Sequence, residues 1–102
     1  MTQNNWMSLL GLANRARKVV SGEESVIQEV RRGKAKLVLL AKDASDNTAK
    51  KVLDKCKYYQ VPVCMVESRE QLGHSIGKPA RVIVCVTDGG FANSVRRLLE
   101  EI

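Results

Sequence analysis

Residues 19–36, VVSGEESVIQEVRRGKAK, hold the side chains whose types and spacing point to anion chemistry. Gly22 lets the backbone turn sharply into a helix whose first-turn N–H groups have no partner inside it. Such a helix start attracts phosphates and electronegative base edges. Ser21 and Glu24, three residues apart, read as a capping box for that start. Arg15, Arg17 and Lys18 come before the turn, and Arg31, Arg32, Lys34 and Lys36 come after the helix, so along the chain the helix is bracketed by cations. A plainer reading needs no ligand, because acidic first-turn residues such as Glu23 and Glu24 suit the helix dipole on their own. The distribution of charge weighs against it. Arg15 to Lys42 holds eight Lys or Arg against Glu23, Glu24 and Glu29, a local excess of five in a chain whose net charge is +6. A charge that merely solubilises would be spread, whereas one concentrated like this marks a face for a polyanion.

Catalysis lacks its parts. There is one His, His74, which reads as structural, and no Walker-type loop, so no Ser/His/Asp or Cys/His set assembles. Asp43 and Asp46 read as helix caps rather than as a hard-cation site, and Gly89-Gly90 as a strand-to-helix turn rather than a phosphate cradle. Cys56, Cys64 and Cys85 are odd in number, lie in apolar patterns and show no ligand spacing, so they read as buried reduced thiols. No enzyme activity, cofactor or metal is expected.

The elements that must position these residues follow from periodicity. Trp6, Leu9, Leu10 and Ala13 repeat at helical spacing, placing an amphipathic helix that ends near Arg17. A short extended piece over 19–21 leads into the pivotal helix, which has Val26, Ile27 and Val30 on its apolar side and Gly33 as its stop. Leu37, Val38, Leu39 and Leu40 are consecutive, as in a strand covered on both faces. Asp43 or Ser45 caps a third helix with Ala49, Val52, Leu53 and Cys56 inside and Lys50, Lys51, Asp54, Lys55 and Lys57 on a solvated face. A strand over 61–66, opened by Pro62, precedes a short helix in which Ser68 and Gln71 repeat the capping-box pattern. After the loop GKPAR, residues 81–87 form a third apolar strand. Asp88 then caps a last helix carrying Phe91, Val95, Leu98, Leu99 and Ile102. Strands alternating with helices imply an α/β fold, a three-layer α/β/α sandwich with a mixed four-stranded or mostly parallel sheet, in one domain over 1–102. The turn before the second helix, the segment AKDAS and the GKPAR loop are candidates for sharing one end of that sheet.

RRGKAKLVLLAKDAS, KCKYYQVPV and SREQLGHSIGK together resemble the kink-turn RNA-binding ribosomal protein family of the L-seven-Ae type, and the resemblance runs from Trp6 through the last helix. It implies an α/β/α domain that grips RNA bent at a kink-turn, an internal loop flanked by sheared G·A pairs, with the start of the second helix in the widened groove. The family pattern there is Gly-x-Asn-Glu-x-x-Lys. Gly22 matches its first position, with Glu23 following, while Glu24 occupies the Asn position, Ser25 the Glu position and Gln28 the Lys position. Glu24 accepts a hydrogen bond but cannot donate one as Asn does, and Gln28 lacks the cation. The family's second contact, an apolar loop over an unstacked nucleotide, falls on Lys78, Pro79 and Ala80, with Arg81 beside them, and Lys18 falls where the family keeps a basic residue next to the RNA strand.

The expected function is therefore that of a non-catalytic protein binding structured RNA, a kink-turn with sheared G·A pairs, in association with the ribosome or translation, through Lys18, Gly22, Glu23, Glu24, Ser25, Gln28, Arg31, Lys34, Lys78, Pro79, Ala80 and Arg81. The competing class is a protein-interaction module of the translation machinery with only incidental RNA contact. No apolar run approaches the length of a membrane span and no signal-peptide pattern is present, so a cytoplasmic monomer is expected.

Overall fold

A computed structural model describes residues 5–100. Among them are five helices and four strands: α1 (Asn5–Arg15), β1 (Val19–Ser21), α2 (Glu23–Arg31), β2 (Leu37–Ala41), α3 (Asp46–Tyr59), β3 (Val63–Val66), α4 (Arg69–His74), β4 (Ile83–Val86) and α5 (Gly89–Glu100). The sheet order is β1-β4-β2-β3. β2 and β3 are parallel, while β4 runs antiparallel to both β1 and β2. The sheet is thus mixed as expected, and the mostly parallel alternative fails because β4 enters between β1 and β2 from the opposite direction.

The layers follow from strand alternation, which sends successive side chains to opposite faces. Leu37, Leu39 and Ala41 of β2 and Val84 and Val86 of β4 pack with Trp6, Leu10, Leu72, Ala92 and Val95 from α1, α4 and α5. Val38, Leu40, Ile83 and Cys85 point the other way, onto Val26, Val30, Val52 and Cys56 from α2 and α3. Both strands are buried along their whole length, which is why their sequences read as unbroken apolar runs. β3 does not behave this way. It is an edge strand, shorter than expected at its start, with Met65 42% exposed. Leu53, expected on the inner stripe of α3, is also 42% exposed.

Ser45 rather than Asp43 caps α3, its hydroxyl accepting from the Thr48 N–H at 3.2 Å. Ser68 caps α4 through the Gln71 N–H at 3.2 Å, and Asp88 caps α5 through the Phe91 N–H at 2.9 Å. Ile102 lies outside the described residues. Two thiols are buried as expected, Cys56 and Cys85, whereas Cys64 on the edge strand is only half-buried. Among the described residues no helix is long and apolar enough to cross a membrane.

Candidate nucleic-acid interface

The capping box expected at Ser21 and Glu24 does not form. Ser21 is a strand residue opposite Val84, and the N-cap of α2 is Gly22 itself, at φ 98° and ψ 144°, with no side-chain cap. Only glycine adopts that conformation without strain, so the sharp entry into α2 depends on it. The Gly22 N–H is fixed by the Ile83 carbonyl at 3.2 Å, and its carbonyl accepts the first helical bond from Val26 at 2.9 Å. A side chain placed on Gly22 would meet no atom within 4 Å. The helix tip is therefore open, and its first-turn amides lack the side-chain acceptor that other helix starts in this fold possess.

Glu23 is committed elsewhere. Its carboxylate accepts from the Thr48 hydroxyl at 3.0 Å and from Lys51 Nζ at 2.9 Å, tying the start of α2 to α3. The hydrogen bonds from Lys51 and then Thr48 hold its carboxyl below the ordinary glutamate range. Glu24, Ser25 and Gln28 are exposed on the outer face of α2.

The three loops expected to share an end do so. Gly22, Arg69, Ala80, Arg81, Val82 and Ile83 line one concavity of about 270 Å³. Arg69 joins the loops. Its N–H donates to Asp43 Oδ1 at 3.0 Å, its guanidinium donates to the Asp43 carbonyl at 2.6 Å, and its own carbonyl accepts from the Arg81 N–H at 3.0 Å. Gly73 seats the 77–81 loop, for its carbonyl accepts from the Lys78 N–H at 2.9 Å and a Cβ on it would stand 2.5 Å from Ala80 Cα. Lys78 and Pro79 are exposed at the loop's rim. Arg69 was not among the expected site residues. Its signal in the sequence is a cation at the first position of a helix, where the dipole disfavours positive charge unless another interaction compensates.

The cations that bracket α2 along the chain do not surround its tip in space. Lys18 lies before β1 and Gly22 after it, and the Lys18 carbonyl accepts from the Thr87 N–H at 2.8 Å, at the far end of the sheet. The Lys36 N–H donates to the Val86 carbonyl at 2.8 Å, so the exit of α2 reaches the same far end. Arg31 stands about 12 Å along the helix from its first residue, at roughly 1.5 Å per residue. The expected residues thus fall into two groups. Gly22, Glu23, Glu24, Ser25, Lys78, Pro79, Ala80 and Arg81 share one end, Lys18, Arg31 and Lys34 the other, and Gln28 lies between. Near the tip, positive charge comes instead from Arg69, Arg81 and Lys78. Among the described residues no three His, Cys, Asp or Glu side chains are grouped to hold a metal.

Residues 4–95 match the profile of the ribosomal protein L7Ae/L30e/S12e/Gadd45 family. The chain belongs to that family. It is 66% identical to the RNA-binding protein YlxQ of Bacillus subtilis over 98% of this chain and 100% of that protein. More distantly, it is 29% identical to large ribosomal subunit protein eL8 of Thermoplasma volcanium, over 82% of this chain and 70% of that one. Among solved structures, a Bacillus halodurans protein of unknown function superposes with a TM-score of 0.92 at 48% identity, covering 94% of this chain and 97% of the other. The Giardia lamblia 15.5kD RNA binding protein shares the fold, with a TM-score of 0.80 at 20% identity over 94% and 82% of the two chains. The expectation of a chain without catalytic activity agrees with the RNA-binding and ribosomal proteins it is related to.

Proposed function

We propose that the chain is a non-catalytic RNA-binding protein that recognises structured RNA bent at a kink-turn, acting as a cytoplasmic monomer in association with translation. The observation that carries this reading is the uncapped tip of α2, open at Gly22 and facing the same concavity as Ala80 and Arg81. A kink-turn splays its groove so that base edges meet a helix tip, while straight A-form RNA keeps them in a groove that side chains cannot enter. Glu24 accepts from guanine amino and imino groups, Ser25 offers a hydroxyl, and Pro79 and Ala80 provide apolar cover for an unstacked base. The bend is then stabilised by population shift, since the bound form alone presents this surface. Support comes from the high identity to a protein named as RNA-binding and from kinship with a large-subunit ribosomal protein.

The test is a titration with a kink-turn RNA and with the same RNA after its sheared G·A pairs are replaced by Watson–Crick pairs. Affinity at least about tenfold higher for the kink-turn, a difference of about 1.4 kcal/mol, is expected. Equal affinity overturns the reading. Gly22→Val lowers kink-turn affinity while the chain stays folded, because a strained φ costs about 1–3 kcal/mol against a typical stability of about 5–15.

A further inference from the structure

We propose that the outer face of α3 carries a second RNA surface, on which unpaired bases of a single-stranded segment stack against Tyr58 and Tyr59 while flanking cations hold the backbone. Tyr58 is 78% and Tyr59 40% exposed, and their rings stand edge to face with centroids 4.8 Å apart. The core gains nothing from a ring as open as that of Tyr58, and its edge-to-face contact with Tyr59 limits the orientations the pair can take. The surroundings are basic. Lys51, Asp54 and Lys55 line a concavity of about 550 Å³ with both tyrosines. Tyr59 also lines a second concavity, of about 330 Å³, together with Gly33, Lys36 and Gln60. Tyr59 therefore joins the two hollows into one track. At its upper end the track begins at Lys51, which is bonded to Glu23 beside the α2 tip, and at its lower end it reaches the exit of α2, where Arg31, Lys34 and Lys36 are exposed.

Lysines alternating with open aromatic faces are the arrangement that binds single strands, because every base has a face to stack and every linkage a phosphate to neutralise. The opposing charges are Asp54 and, bonded to Lys51, Glu23, against Lys51, Lys55 and Lys36 along the track and Arg31 and Lys34 at its lower end. A duplex fits less well, since its bases are already stacked on one another. The lysines of α3, which read from sequence as a solvated face, acquire a use in this way. So do Arg31 and Lys34, which the fold holds apart from the Gly22 concavity. This surface is independent of kink-turn recognition, and the proposal stands even where that reading fails.

The experiment is a fluorescence-anisotropy titration of the full chain with a labelled oligouridylate of about eight nucleotides, within the range of single-strand site sizes. The native chain, Tyr58→Ala, Tyr58→Phe and Gly22→Val are compared at low salt, with an unlabelled RNA duplex of equal length as competitor. Affinity for the oligomer is expected to fall about tenfold in Tyr58→Ala, to be retained in Tyr58→Phe, which keeps the stacking face, and to be unaffected by Gly22→Val. Unchanged affinity in Tyr58→Ala, equal loss in Gly22→Val, or a duplex that competes as well as the oligomer overturns the proposal.

Discussion

Glu23 shows how one side chain serves two neighbours. Its bonds to Thr48 and Lys51 anchor the first turn of α2 against α3, so each of its carboxylate oxygens already accepts one hydrogen bond from inside the fold. Its folded pKa lies below the ordinary value of 4.5, so this anchoring is complete above that pH and is lost as the pH falls through the folded value. Thermal unfolding of the native chain and of Glu23→Gln should therefore differ at pH 7, with the variant less stable, and the two should converge once the pH lies below the folded value of Glu23. The cysteines give a second expectation at this scale. Burial pushes the Cys85 thiol up to about 12 and Cys56 up to about 11, so both stay protonated and unreactive in the folded state. Alkylation of the native protein at pH 8 should modify Cys64 first, since it is only half-buried on the edge strand, and should reach the other two only on unfolding. The apolar setting of all three thiols was visible along the chain. The lesser burial of Cys64 was not, because a run of apolar residues looks the same in an edge strand as in a central one.

At the scale of elements, the 77–81 loop is placed by Gly73. An alanine there would put its Cβ 2.5 Å from Ala80 Cα and 2.7 Å from Ala80 N, both backbone atoms that cannot rotate away. Gly73→Ala should cost about 1–3 kcal/mol of stability, the usual range for overpacking, and should weaken kink-turn binding more than its stability loss explains, because the loop must move off the Gly22 concavity. A melting curve and a binding titration on the same variant check both parts. Helix and strand positions were legible because β2, β4, α1 and α2 have strong apolar periods and because Ser68 and Asp88 are plain caps. The cap of α2 was misread. Ser21 and Glu24 have capping-box spacing, yet Ser21 pairs with Val84 as the last residue of β1 and Gly22 makes the turn alone. Three-residue spacing cannot report which residue a sheet will claim.

Across the whole molecule, the basic residues that bracket α2 in sequence gather at the end of the sheet away from the α2 tip, and a separate stretch, 69–81, supplies the cations beside the tip. With Lys18, Arg31 and Lys34 at one end and Lys78 and Arg81 at the other, the proposed RNA binding would depend on RNA length as well as on charge. If about four to six phosphates are neutralised, the log–log dependence of affinity on salt should have a slope of roughly −3 to −5, and the Lys18→Gln, Lys34→Gln double variant should flatten it by about 1–2 for an RNA long enough to reach both ends. An RNA confined to the kink-turn itself should show no such flattening. Separate titrations across a salt series check this.

The position of β4 also bears on how the protein is made. Among the described residues β1 pairs only with β4, which follows the other three strands in sequence. Until residues 83–86 emerge, the backbone bond to Ile83 that steadies Gly22 is missing, and a nascent chain carries the turn into α2 without that support. The turn into α2 therefore reaches its final form only when the strand farthest along the sequence has joined the sheet.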